Sequence, residues 1–311
     1  MILITNATGF VGRALVRRLA ARRRQTRCLL QPSRRVQRLP TGIIFSTASA
    51  SMDDLPALRA AMQDVTTVVH LGGCEGAHCG EMIHSSAHDT ANLVEAVHEA
   101  GVRRFIYLSR IGADRTSAYP AFREAGEAES VVRESGLDYT ILQAALTYGA
   151  EDTFTNVVAM LGKTIPYTLP VPALGVCRLQ PLWVVDLVEC IEATLERDDL
   201  IGQTIPLGGP EHFTFEQLAL EILAASGARR RLMHVRAPLV RGAIALCDTL
   251  LPCTPTPAWW LDLLVVGSAT DLVMIQRHFG FEPHRFAASL SYLGRKRPWR
   301  RDLLRFVFQH E

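Results

Sequence analysis

The chain opens with a strand, a glycine turn and a helix, in the order "ILITNATGFVGRALV" over residues 2–16. This arrangement is typical of a dinucleotide site, because the turn brings backbone N–H groups and the positive end of a helix against a pyrophosphate. Gly9 and Gly12 stand where a side chain would block the phosphate or the packing of the helix on the strand. Asn6 replaces the first glycine of the motif, and asparagine tolerates a positive φ. The stretch therefore predicts a dinucleotide loop, with a tight turn that binds nothing as the alternative.

Short apolar runs alternate with helical patterns through the first half of the chain. The predicted strands are 2–5, 26–31, 42–45, 66–71, 104–109 and 139–143, and the predicted helices are 12–23, 55–63, 88–101 and 122–136. This order predicts an α/β fold, a Rossmann-type doubly wound parallel sheet. Beyond about residue 150 prolines and then helices dominate. We therefore predict a Rossmann domain over 1–150, a smaller, mostly helical lobe over 151–293 that is interleaved with it, and a basic amphipathic tail over 294–311.

Composition limits the class of protein. The 311 residues carry a net charge of +2, and 48% of them are apolar, which favours a globular protein with a large core and no nucleic-acid partner. The seven cysteines show no paired framework, which favours a reducing compartment. We find no signal peptide pattern and no apolar run long enough for a membrane span. We therefore expect a cytoplasmic protein.

The end of the second predicted strand indicates which dinucleotide is bound. The sequence there is "LLQPSRR", which lacks the carboxylate that would accept hydrogen bonds from the ribose of NAD. Arg34 and Arg35 follow instead, and arginine suits the 2′-phosphate of NADP through bidentate hydrogen bonds. The residues favour NADP(H), with NAD(H) as the alternative if the two arginines are merely exposed.

Several stretches resemble the atypical branch of the extended short-chain dehydrogenase/reductase superfamily. They are "TNATGFVG", "VVHLGG" (68–73), "DTANLVEAVHEAGVRRFIYLS" (89–109) and "ESGLDYTILQAALTYG" (134–149). The second half is similar to the NAD(P)-binding accessory subunit family of respiratory complex I, to related bacterial epimerase-like proteins and to photosystem II assembly factors. The matching stretches there are "EDTFTN" (151–156), "LQPLWVVDLVECI" (179–191), "GQTIPLGGPEHFTFEQLA" (202–219) and "FGFEPHRFAASLSYL" (279–293).

The resemblance implies a Rossmann core that binds NADP(H) or NAD(H), and a second lobe of unsettled role. It also implies a set of cofactor contacts. These are Thr5, Asn6, Ala7, Thr8, Gly9, Phe10, Val11, Gly12, Gln31, Arg34, Arg35, Leu71, Gly72, Gly73 and Ser109. Ser109 further matches the end of the strand where the superfamily has its catalytic serine or threonine.

Active members of the superfamily carry a Tyr-x-x-x-Lys pair at the start of the next helix, where the lysine lowers the pKa of the tyrosine. Aligning "ESVVRESG" on the family pattern places this pair at Ala121 and Ala125, so both functional groups are absent. An alternative frame uses Tyr119 and Arg123, in which a guanidinium replaces a compact ammonium. We expect that ordinary hydride transfer through this pair is lost, and keep Ser109, Tyr119 and Arg123 as candidate catalytic residues.

A loop rich in histidine and cysteine follows the fourth predicted strand, in "CEGAHCGEMIHSSAHD". Its spacing matches no zinc signature, so we predict no metal site and expect a flexible loop over the nicotinamide end. Zinc is the alternative.

The tail "GRKRPWRRDLLRFVFQHE" (294–311) combines basic and apolar residues, as segments that lie on anionic membranes do. A terminal helix packed on its own domain is the alternative. The sequence thus favours an NADP(H)-binding, non-catalytic structural or assembly subunit of a respiratory or photosynthetic membrane complex. The alternatives are an active oxidoreductase or sugar-nucleotide epimerase/dehydratase, and a nucleotide-free scaffold.

Overall fold

The computed structural model describes residues 1–32, 39–72, 86–173, 177–250, 259–294 and 299. The strands are β1 Ile2–Ile4, β2 Thr26–Leu30, β3 Ser46–Ser49, β4 Thr67–Leu71, β5 Arg104–Arg110, β6 Asp138–Ala144, β7 Thr147–Tyr148, β8 Thr168–Ala173, β9 Leu182–Trp183, β10 Thr204–Leu207 and β11 Arg231–Arg236. The helices are α1 Phe10–Ala21, α2 Leu55–Ala61, α3 Ala87–Glu99, α4 Pro120–Glu134, α5 Phe154–Thr164, α6 Val184–Thr194, α7 Phe215–Ser226, α8 Ala237–Leu250, α9 Trp259–Val266, α10 Met274–Phe279 and α11 Phe286–Ser289. Short 3-10 turns cover Asp198–Leu200 and Leu290–Gly294.

Seven parallel strands form the central sheet in the order β10-β6-β5-β4-β1-β2-β3. The chain order reverses between β1 and β4, which is the switch point where doubly wound sheets bind ligands. This confirms the predicted Rossmann-type sheet. Strand β10 and helices α6 and α10 belong to the sheet and its flanking layer, although they come after residue 150.

Alternate residues of each strand pack against opposite helical layers, as the two-residue period of a strand requires. On one face, Ile4, Ile106 and Leu108 pack with apolar residues of α1, α6 and α10. On the other face, Leu3 and Phe105 pack with residues of α2, α3 and α4. Both faces of the sheet are therefore buried.

The prediction of a third strand at residues 42–45 was wrong. The apolar run at 42–45 is not a strand, and Ile44 is 95% exposed. The strand lies at Ser46–Ser49, in the small and mostly polar sequence STAS. Among the described strands it pairs with β2 alone, at the edge of the sheet, so its residues need no apolar pattern.

A second apolar cluster holds the remaining helices together. It joins α5, α7, α9 and α11 and includes Phe154, Ile222, Trp260 and Phe286 from these helices. A parallel two-stranded ribbon of β8 and β11 lies beside this cluster, and α8 follows β11 directly. Within the described ranges, no helix combines the length and apolarity that crossing a bilayer requires.

Candidate functional site

The turn between β1 and α1 has the backbone of a phosphate loop. Asn6 adopts a positive φ of 50°, so asparagine does support the conformation expected of the missing glycine. The Gly9 N–H donates to the Asn6 carbonyl at 3.0 Å. Gly9 is also the N-cap of α1, and no side chain caps the first turn of the helix. The free N–H groups of that turn therefore suit an anionic group.

Two glycines permit this geometry for different reasons. A Cβ on Gly12 would lie 2.3 Å from the Asn6 carbonyl oxygen and 2.7 Å from the Ala7 Cα, which are both backbone atoms. A Cβ on Gly9 would meet the Asn6 side-chain oxygen first, at 3.0 Å. Gly12 is therefore required for α1 to pack on the loop, whereas a Cβ on Gly9 makes longer contacts, of which the one to the Asn6 carbonyl oxygen at 3.2 Å is also to backbone.

A buried polar chain fixes the strand ends beside the loop. Thr5 Oγ1 lies 2.8 Å from His70 Nδ1, and it accepts the N–H of Leu71 at 3.1 Å. His70 Nε2 lies 3.2 Å from Thr90 Oγ1 in α3. The network therefore ties β1, β4 and α3 together at the carboxyl edge of the sheet.

The hydrogen bonds define the proton positions in this chain. The Thr90 hydroxyl donates to the Ser86 carbonyl at 3.1 Å, so its oxygen accepts a hydrogen bond from the Nε2–H group of His70. Nδ1 then accepts from Thr5, which describes a neutral imidazole. Burial lowers the pKa of His70 to about 3, in agreement with the neutral form.

The loop at residues 149–151 closes over the start of α1. Glu151 accepts hydrogen bonds from Arg13 at 2.6 Å and from Arg17 at 2.7 Å. Arg13 also donates to the Thr8 carbonyl inside the phosphate loop. Burial opposes ionisation of Glu151, but the hydrogen bonds from both arginines outweigh it and lower its pKa. This contact between chain halves was not predicted from the sequence.

Ser109 lies at the carboxyl end of β5 and is 1% exposed. None of the described residues forms a hydrogen bond with its hydroxyl, which is unusual for a buried polar atom. The next residue, Arg110, is also buried, and its guanidinium carbon lies 5.7 Å from the centre of the Phe122 ring. Sequence reasoning missed Arg110, although a charge at the end of a buried strand is a usable signal.

The two alternative positions for the Tyr-x-x-x-Lys pair, Ala121/Ala125 and Tyr119/Arg123, have different surroundings. Ala121 and Ala125 are buried on one side of α4, at 4% and 7% exposure. Tyr119 is the N-cap of α4, and its N–H is bonded to Ser117 Oγ at 3.2 Å. Arg123 is exposed and donates to the Ser117 carbonyl at 3.3 Å. Both Tyr119 and Arg123 thus contact the loop before α4.

The structure places most of the predicted cofactor contacts on one edge of the sheet. Residues 5–12 form the loop and the first turn of α1. Leu71 ends β4 next to this loop, and Gly72 follows it directly. Gln31 follows β2 and is exposed. Arg34, Arg35 and Gly73 lie outside the described residues, as do positions 74–85 of the histidine–cysteine loop and all of 295–311 except Trp299. In the part of the chain that the structure describes, no three metal-ligating side chains come together.

The fold and the loop define a Rossmann-type dinucleotide-binding protein. The family model described as NAD(P)H-binding matches residues 7–165. The chain therefore belongs to this NAD(P)H-binding family.

Comparison with known proteins adds relatives over most of the chain. NADH dehydrogenase (ubiquinone) 1 alpha subcomplex subunit 9, mitochondrial, of Arabidopsis thaliana is 28% identical over 264 residues. The match covers 82% of this chain but only 65% of that relative. Two solved structures share the fold. A nucleoside-diphosphate-sugar epimerase of Staphylococcus aureus gives a TM-score of 0.74 at 19% identity, over 94% of this chain and 99% of that one. An NADPH-dependent quinone oxidoreductase of Escherichia coli gives a TM-score of 0.72 at 22% identity, over 95% of this chain and 100% of that one.

Proposed function

We propose that the protein binds NADP(H) without transferring hydride through a tyrosine–lysine pair, and serves as a structural or assembly subunit of a respiratory, membrane-associated electron-transfer complex. The observation that carries the proposal is a contrast within one site. The phosphate loop keeps its geometry, whereas the positions that the sequence alignment assigns to the acid–base pair hold Ala121 and Ala125, which are both buried. The similarity to a NADH dehydrogenase subunit supports the host complex. Such a complex would hold the protein at the cytoplasmic membrane face.

Absence of turnover is the first expected result. General acid–base groups contribute roughly 10²–10⁴-fold to rates, so their loss should leave no appreciable steady-state oxidation of NADPH. Purified protein is screened with carbonyl, quinone and sugar-nucleotide substrates, while mass spectrometry identifies any nucleotide released on denaturation. Retained nucleotide without turnover supports the proposal.

An active oxidoreductase is the second candidate. The Ser109 hydroxyl, which bonds to none of the described residues, favours it, because a carbonyl substrate could accept a hydrogen bond from this hydroxyl. Tyr119 at the start of α4 would supply the proton. Robust turnover that Tyr119→Phe or Ser109→Ala abolishes would replace the first proposal by this one.

Preference for NADP(H) is the second expected result. Two charge-assisted hydrogen bonds from Arg34 and Arg35 should make NADPH bind about tenfold or more tightly than NADH. Calorimetry of both nucleotides measures this ratio, and the Arg34→Glu/Arg35→Glu variant should remove it. Arg103→Glu is the control, since this exposed arginine precedes β5 at the opposite edge of the sheet. Equal affinities in the unmodified protein would contradict the preference.

A further inference from the structure

Helix α8 presents apolar side chains to solvent. Its inward side includes Val240, which is half-buried, and Ile244, which is only 7% exposed. On the other side Leu239 is 64% exposed and Leu246 is 59% exposed, with exposed Ala243 between them. Spacings of four and three residues place these three on one side of a helix. The outer stripe of α8 is therefore uncharged and apolar, the reverse of an ordinary surface helix.

The ribbon that precedes α8 has a similar outer side. Arg231 stands beside Thr168 and Met233 beside Pro170 in the parallel register, so these four share one side of the ribbon. Met233 is 48% exposed. The opposite side packs into the lobe core, where Leu169 is buried and Leu232 is partly buried. The outer side thus combines apolar and basic groups.

An open groove lies where the ribbon begins. Its lining includes the apolar side chains of Leu220 and Leu223, together with Tyr167, Arg229 and Arg231. Tyr167 is 85% exposed and has a φ of 64°, a conformation that is rare for an aromatic residue. Apolar and basic groups therefore meet here too.

The charge of this segment is mostly positive, although the Glu216 carboxylate lies 3.3 Å from His234 of β11. Residues 222–247 include five arginines, at positions 229, 230, 231, 236 and 241, and no aspartate or glutamate. Arg241 pairs with Asp262 at 2.6 Å. Arg229, Arg231 and Arg236 form no ion pair with any residue that the structure describes. The complementary partner is therefore anionic.

We propose that the outer stripe of α8 and the outer side of the β8–β11 ribbon form one docking surface, the ribbon–helix face, for an anionic lipid bilayer. A convex helix with protruding leucines beside arginines matches the requirements of an interfacial segment. Leu239 and Leu246 enter the boundary between headgroups and acyl chains. Arg229 and Arg231 contact lipid phosphates. The attachment needs neither bound nucleotide nor a host complex, and it is distinct from the predicted attachment through the tail.

Flotation of the full chain with lipid vesicles tests this surface. The protein should float with phosphatidylcholine vesicles that contain phosphatidylglycerol, float far less with phosphatidylcholine alone, and lose binding as salt rises. Leu239→Glu/Leu246→Glu should reduce the bound fraction about tenfold or more, and Arg229→Glu/Arg231→Glu should do the same. These side chains are exposed, so the thermal unfolding midpoint should be unchanged. Ile44→Glu/Leu272→Glu is the matched control, because it charges two exposed apolar residues elsewhere.

Four results would overturn the proposal. The first is a chain that stays unbound with anionic vesicles, and the second is equal binding to neutral ones. The third is flotation that survives Leu239→Glu/Leu246→Glu but is lost in a chain that ends at Leu293, which would assign docking to the tail. The fourth is absence of flotation by the unmodified chain, together with loss of a co-purifying complex in Leu239→Glu/Leu246→Glu, which would assign the surface to a protein partner. Nucleotide binding by these variants is measured in parallel and should be unchanged, so failure of docking leaves the proposed nucleotide function untouched.

Discussion

Gly12→Ala is expected to abolish dinucleotide binding and to destabilise the fold. The added Cβ would lie 2.3 Å from the Asn6 carbonyl oxygen and 2.8 Å from the Ala7 carbonyl carbon, so backbone must move. Overpacking of this kind costs about 1–3 kcal/mol of stability. Movement of the loop also misplaces the N–H groups at the start of α1, and loss of two hydrogen bonds to phosphate, at about 1.5–3 kcal/mol each, should weaken binding about a hundredfold or more. Calorimetry with NADPH and thermal unfolding measure the two effects.

Gly242→Ala is the matched control for this experiment. Gly242 also lies inside a helix, but no atom stands within 4 Å of its added Cβ. The change should raise stability slightly, by about 0.5–1 kcal/mol, because alanine is the better helix former. Gly9→Ala should fall between the two, since its added Cβ would lie 3.0 Å from the Asn6 side-chain oxygen and 3.2 Å from the Asn6 carbonyl oxygen, a smaller overlap than at Gly12. Unchanged NADPH affinity in Gly12→Ala would mean that the loop does not hold the pyrophosphate, and the nucleotide function would be given up.

The sequence predicts those parts of the fold whose pattern is local. Strands β4 and β5 are continuous apolar runs because helices cover both faces, and the run itself is therefore visible. The phosphate loop before α1 can be recognised in the sequence because its glycines are close together along the chain. Strand β3 is not predicted from the sequence, because it is an exposed edge strand. Its backbone hydrogen bonds to β2 hold it in place, and its side chains contribute little to that pairing.

The candidate site contains contacts that no local pattern encodes. Thr5, His70 and Thr90 come from three separate segments, and nothing in "VVHLGG" shows that its histidine lies between two threonines. Glu151 reaches Arg13 across 138 residues of sequence. Such contacts depend on which strands become neighbours, so they follow from the topology of the sheet and not from spacing.

Acidification should destabilise the protein through His70. The pKa of this imidazole is about 3 in the folded protein because it is buried, against about 6.5 for an exposed imidazole in the unfolded chain. The unfolded state therefore binds more protons throughout this interval, and stability falls as the pH falls from about 6.5 to 3. The loss is about 2 kcal/mol between pH 7 and pH 5 and about 5 kcal/mol when complete.

A comparison of variants isolates this effect, because other buried groups titrate as well. Burial raises the pKa of Asp152 to about 6. The ionised carboxylate therefore destabilises the folded protein at pH 7, and its protonation increases stability as the pH falls. Urea unfolding at pH 7 and pH 5 is therefore measured for the unmodified protein and for His70→Gln. The variant should be less stable at pH 7, since it loses the ring stacked on Tyr107 at 5.3 Å, yet it should lose about 2 kcal/mol less on acidification. His98→Gln, at an exposed position of α3, should keep the full pH dependence. An equal loss in His70→Gln and in the unmodified protein would show that the imidazole between Thr5 and Thr90 takes up a proton without unfolding.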